Sequence, residues 1–169
     1  MSEREELALL LWDCGAISLS GGEPPLQWNE APTLLPGVRE RLLDALERMA
    51  REHYAAAEAV LGSGEWARLL AGRLGLPLEP AVLPPKPLVV EPVITDGAAL
   101  RQRALPIRES GKSIAAAAIF QFGREDARRR LDLADVRVHW LTDLETAAAV
   151  GLQRGILDFD AYDALLSMI

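Results

Sequence analysis

Leu88-Val89-Val90-Glu91-Pro92-Val93-Ile94-Thr95-Asp96-Gly97-Ala98-Ala99 is the stretch that decides the fold. Its branched apolar residues suit a strand of a parallel sheet that is buried on both faces. The strand runs into an acidic residue, then a tight Thr-x-Gly turn, then a helix start. A turn of this kind at the carboxyl end of a parallel strand aims several backbone N–H groups at one point. That is where α/β proteins hold a phosphate.

Outward from this stretch, strand and helix signals alternate. Residues 57–61 read as a strand, Gly62-Ser63-Gly64 as a turn and residues 65–74 as a helix, followed by strands at 76–82 and 88–91. A helix over 98–110 carries Pro106, which predicts a kink. A strand at 113–120, a helix at 124–131, a strand at 136–141 and helices near 143–150 and 158–168 complete the series. Towards the amino terminus, Leu7, Leu10 and Leu11 have helical spacing and Gly15 follows as a stop. Gly21-Gly22, Pro24-Pro25 and Trp28 predict turns and short extended pieces. Pro36 opens a long helix reaching Tyr54, with Leu42, Leu43, Leu46 and Met49 as its buried stripe.

This alternation predicts an α/β fold over residues 1–169 as one domain. It has a mainly parallel sheet of five or six strands, helices on both faces and residues 88–91 as a central strand. The predicted core is Leu10, Leu43, Leu46, Val60, Leu70, Val89, Val90, Ile94, Ile114, Ile119 and Val138.

Half of the 169 residues are hydrophobic and a quarter are charged, an ordinary globular balance. A net charge of -7 with a pI near 4.9 opposes binding to a nucleic-acid backbone. Cys14 is the single cysteine, so no internal disulfide forms, and a cytoplasmic location is the expectation. No apolar run approaches the ~20 residues that span a bilayer. Lysine occurs only at Lys86 and Lys112.

The central stretch resembles the phosphoribosyl-diphosphate (PRPP) signature of type I phosphoribosyltransferases, in which hydrophobic residues precede two acids and a small Thr/Gly/Ser phosphate loop. The similarity to the orotate branch extends over nearly the whole chain. Leu9-Leu10-Leu11-Trp12-Asp13-Cys14-Gly15-Ala16-Ile17 looks like that branch's opening helix and Gly-Ala hinge. Pro25-Leu26-Gln27 stands where an extended segment approaches the base, Arg124-Glu125 near a charged turn, and Leu141-Thr142-Asp143-Leu144 and Gly155-Ile156-Leu157 at the closing helices.

The resemblance implies a ligand site for PRPP or phosphate at Glu91, Thr95, Asp96, Gly97, Ala98 and Ala99. It implies a diphosphate loop at Gly62, Ser63 and Gly64, with Mg²⁺ as the cofactor of an active enzyme. It also implies a homodimer, with Trp12, Trp28 and Trp66 as interface candidates or, alternatively, core residues.

The chain departs from the signature in three places. Pro92 replaces the second acid and cannot accept a hydrogen bond from a ribose hydroxyl through its side chain. Asp96 places a carboxylate inside the phosphate turn, a like charge to the ligand. Residues 79–87 are short and proline-rich, with Lys86 their only cation, where the orotate branch carries a long cationic hood. A closing lid excludes water and completes such a site.

These features predict a divergent orotate phosphoribosyltransferase-like protein that binds a nucleotide or phosphate ligand, with transferase activity weak or lost. One alternative is an active enzyme of pyrimidine synthesis, converting PRPP and orotate to orotidine monophosphate and diphosphate. Another is a nicotinamide-dinucleotide binder, since Gly62-Ser63-Gly64-Glu65-Trp66-Ala67 fits G-x-G-x-x-A and Glu79 follows. Gly62-Ser63-Gly64 also reads simply as the turn that any βαβ unit needs. His53 and His139 lack ligand partners at metal spacing, Cys14 reads as a small core residue, and Arg124, Arg128, Arg129 and Arg130 as a solvated helix face.

Overall fold

In the computed structural model, which describes residues 1–169, α1 (Glu3–Cys14) precedes a hairpin of β1 (Ile17–Leu19) and β2 (Leu26–Trp28) and a 3-10 turn (Ala31–Leu34). Then come α2 (Val38–His53), β3 (Ala59–Leu61), α3 (Glu65–Leu74), β4 (Pro87–Val90), β5 (Val93–Ile94) and α4 (Ala98–Glu109). β6 (Ile114–Gln121), α5 (Glu125–Leu133), β7 (Val136–Asp143), α6 (Leu144–Gln153) and α7 (Phe159–Leu166) complete the chain.

Strands β3 to β7 form one sheet in which every pairing is parallel. β4 and β5 share one register on β6, with Leu88 opposite Ala115 and Val93 opposite Phe120. They are a single strand line interrupted at Glu91 and Pro92. Across the break, the Pro92 carbonyl accepts from the Ile119 and Phe120 N–H groups at 3.0 and 3.1 Å. The line therefore continues without the N–H that proline lacks.

Alternation along the strands distributes the core between the two faces. Val60, Leu88, Val90, Ala117 and Ile119 join α1, α2, α3 and α6 in the larger cluster. Leu61, Val89, Ile94, Ile114, Ala116 and Ala118 meet α4 and α5 in the smaller one. This is the side-chain period of two, with both faces covered as a parallel sheet requires.

The alternation of elements agrees with the sequence reading except at residues 76–82. No strand forms there; a single parallel bridge joins Leu78 to Val60. Pro77 and Pro80 offer no N–H for a ladder, and Glu79 turns the chain with φ +47°. The short β5 and the β1–β2 hairpin, with Ile17 opposite Trp28, are further elements. α4 continues past Pro106 to Glu109.

Leu10, and Val138 on the edge strand β7, are only partly buried; the rest of the predicted core is buried. Trp12 and Trp66 belong to the core and not to an exposed interface. Their indole N–H groups donate inward, to the Ala147 carbonyl at 2.9 Å and to Thr33 Oγ1 at 3.0 Å. Trp28 is half-buried and stacks on Phe120 with ring centroids 5.9 Å apart. Nor are the histidines isolated. His53 stacks on His139 at 3.8 Å, and the Tyr54 hydroxyl lies 2.6 Å from His139 Nδ1.

Candidate anion site at the carboxyl edge of the sheet

The β4–β5 line delivers Glu91 to the carboxyl edge half-buried, its N–H donating to the Ala117 carbonyl at 3.0 Å. Burial pushes its carboxyl pKa up, and nearby Glu30 pushes it further. Glu30 is itself raised by burial. It reaches this place through a short chain of contacts, in which Trp66 donates to Thr33 and Thr33 Oγ1 donates to the Glu30 carbonyl at 2.6 Å.

After Ile94 the chain turns through Thr95 and Asp96 to Gly97, which has φ +76°. A Cβ at Gly97 would lie 3.3 Å from backbone atoms of Ala127, so the left-handed conformation favours glycine and the space beside it is tight. α4 starts at Ala98, so the N–H groups of Ala98, Ala99 and Leu100 have no acceptor within the helix. Asp96 Oδ1 takes the first of these at 3.0 Å. The amides of Ala99 and Leu100 remain for an anion, with Thr95 exposed beside them. Arg130 donates to the Asp96 carbonyl at 2.6 Å and stands 3.7 Å from its carboxylate. It therefore reaches the turn and does not merely extend the solvated face of α5.

Gly62-Ser63-Gly64 closes β3 beside this turn and opens α3. A Cβ on Gly62 would fall 2.5 Å from Ala67 Cβ and 3.0 Å from the Val90 carbonyl oxygen. The Gly62 N–H is already engaged, donating to Glu79 Oε1 at 2.9 Å. Glu79 is also ion-paired with Arg103 of α4. Glu65, at the start of α3, is paired with Arg68, which lowers its carboxyl pKa.

Sequence reading thus located Glu91, Thr95–Ala99 and Gly62–Gly64 at one edge but did not find Glu30, Arg103 or Arg130 there. Arg103 and Arg130 arrive from helices that follow different strands, and no local pattern marks them. Lys86, the only cation of residues 79–87, precedes β4. It lies at the opposite, amino edge, lining a cavity with His53, Tyr54 and Arg137.

A larger cavity of about 380 Å³ lies between α5 and β7, floored by Phe122, Leu131, Val138 and Trp140. It does not include the Glu91 or Thr95–Ala99 positions. No group of three or more His, Cys, Asp or Glu side chains is placed to hold a metal ion.

No protein-family model matches the chain. The orotate phosphoribosyltransferase of Bacillus caldolyticus is 25% identical over 183 aligned positions, covering 90% of this chain and 89% of that protein. An alignment longer than the chain means that the relative carries residues with no counterpart here. Among solved structures, the orotate phosphoribosyltransferase of Aeropyrum pernix superposes with a TM-score of 0.74 at 24% identity, over 88% of this chain and 99% of that one. The Mycobacterium tuberculosis enzyme in complex with PRPP gives 0.64 at 15% identity, over 86% and 99%.

The architecture is that of the type I phosphoribosyltransferases. The sequence match, at 25% identity over nine-tenths of the chain, is a similarity to orotate phosphoribosyltransferases.

Proposed function

We propose that this protein binds a phosphorylated ribose ligand, a nucleotide or sugar phosphate, at the carboxyl edge of its sheet, and that orotate phosphoribosyl transfer is weak or lost. The turn from Thr95 to Ala99 carries this reading: two open amides at the head of α4, Gly97 packed against α5, and Arg130 within reach. The 5′-phosphate would sit on the Ala99 and Leu100 amides, and Glu91 would accept from a ribose hydroxyl. Mg²⁺, if turnover occurs, would arrive on the diphosphate of the substrate.

Reduced transfer is supported by three features that act on separate steps. Pro92 supplies no ribose acceptor, Asp96 puts a carboxylate at the phosphate turn, and the segment after Glu79 brings its one cation to the wrong edge of the sheet. Loss of a single charge-assisted contact costs about 1.5–3 kcal/mol, so two such losses imply at least about a hundredfold penalty if they add.

The names of the relatives support an active orotate transferase equally well. A coupled assay for diphosphate release from orotate, PRPP and Mg²⁺ separates the two readings. The expected rate is far below the ~10 s⁻¹ typical of enzymes, and turnover near that value would establish the active alternative.

A further inference from the structure

The Gly62 turn stands at the end of β3 at the carboxyl edge, with no room for a side chain and its N–H directed away from the strand ladder. In this chain that N–H meets a carboxylate from the same molecule. Glu79 is brought there by the bridge of Leu78 to Val60 and by its own N–H, which donates to the Val60 carbonyl at 2.9 Å. The left-handed backbone at Glu79, φ +47°, turns the chain so that residues 80–86 run directly back to the amino edge, where β4 begins.

The carboxylate then holds two partners at once: the Gly62 amide at 2.9 Å and the Arg103 guanidinium of α4. An anion binding beside Gly62 would need these same two groups. The remaining arginines nearby, Arg68 and Arg130, are paired with Glu65 and Asp96.

The geometry points to Glu79 as a specificity-determining residue: its carboxylate fills the subsite beside Gly62, so the site takes 5′-monophosphates and rejects a ligand that also carries a 1-diphosphate. This inference rests on the reading of Thr95–Ala99 as the 5′-phosphate site. A diphosphate entering beside Gly62 would lose the amide and Arg103 to Glu79 and would face that carboxylate as a like charge. A ribose 5-phosphate uses the Ala99 and Leu100 amides at the other turn, where the Asp96 carboxylate takes only the Ala98 amide and is itself paired with Arg130.

Isothermal titration of the full chain with ribose 5-phosphate, inorganic diphosphate and PRPP tests this. The variants are Glu79→Gln, which keeps the size and removes the charge, and Glu79→Gly, which also suits the left-handed backbone and so guards against misfolding. The unmodified protein should bind ribose 5-phosphate at least about tenfold more tightly than diphosphate. Both variants should gain at least about tenfold for diphosphate and PRPP, while ribose 5-phosphate changes by less than about twofold. If ribose 5-phosphate binds but neither variant gains affinity for diphosphate, the role of Glu79 is overturned and the proposed 5′-phosphate site stands. If ribose 5-phosphate binds to none of the three proteins, the 5′-phosphate site itself is wrong and the inference falls with it.

Discussion

Glu91 is the residue where position and chemistry pull hardest against each other. The strand line carries it to the carboxyl edge, where we propose that it grips a ribose, yet burial and Glu30 both favour its neutral form. Its folded pKa therefore lies above its unfolded value, and between the two the native state holds the extra proton. Stability falls as pH rises through that window, and the penalty vanishes below the ordinary carboxylate range. Glu91→Gln should consequently melt at a higher temperature than the unmodified protein at pH 7. The advantage should shrink towards zero near about pH 4. Thermal melts across that range provide the check, and equal melting temperatures at pH 7 would refute the burial argument. A ligand hydroxyl donating to the ionised carboxylate would pull the pKa back down.

At the scale of elements, the 3-10 turn and α3 are held together by one side chain. Trp66 is fully buried, and its N–H donates to Thr33, which is itself hydrogen-bonded to the Glu30 carbonyl. Trp66→Ala should cost about 3–5 kcal/mol through lost burial and the cavity left behind. Trp66→Phe should cost about 1–3 kcal/mol, because it keeps most of the ring volume but leaves Thr33 without its donor. Urea unfolding should show a lowered midpoint with an unchanged slope; a slope change would mean that the unfolded or native ensemble had altered instead. The segment after Glu79 obeys a similar constraint. Residues 80–86 must cross from the carboxyl to the amino edge, and Lys112 Nζ ties them down by donating to the Leu83 carbonyl at 2.7 Å. A segment this short, anchored in this way, has little length left to project as a lid.

Over the whole molecule, charge is distributed unevenly between the two edges of the sheet. At the carboxyl edge Glu65, Glu79 and Asp96 each face an arginine. At the amino edge Lys86 and Arg137 share a small cavity with His53 and no carboxylate lines it. Similarity to the orotate branch leads us to expect a homodimer. With Trp12 and Trp66 inside the core, its contact surface must come from other residues. Sedimentation velocity at micromolar concentration should give about twice the 18.4 kDa chain mass. A lone 18.4 kDa species would reject the dimer.

The sequence by itself determined the strand-and-helix order, the central place of residues 88–91 and the two turns that open α3 and α4. Each of these is encoded locally, by branched residues in a short run, by helical spacing of leucines, and by glycine where only glycine fits. It failed at residues 76–82, where apolar residues suggested a strand but two prolines and the turn at Glu79 left a single bridge. It also missed Arg103 and Arg130, and it left Trp12 and Trp66 open between interface and core, where their burial places them in the core. Only the tertiary structure decided that Glu79 closes on Gly62, that Glu30 comes near enough to raise the Glu91 pKa, and that Lys86 lies on the far edge. Those relations join residues from different βα units, and they follow from which strand ends meet at one edge of the sheet, a property no local pattern encodes.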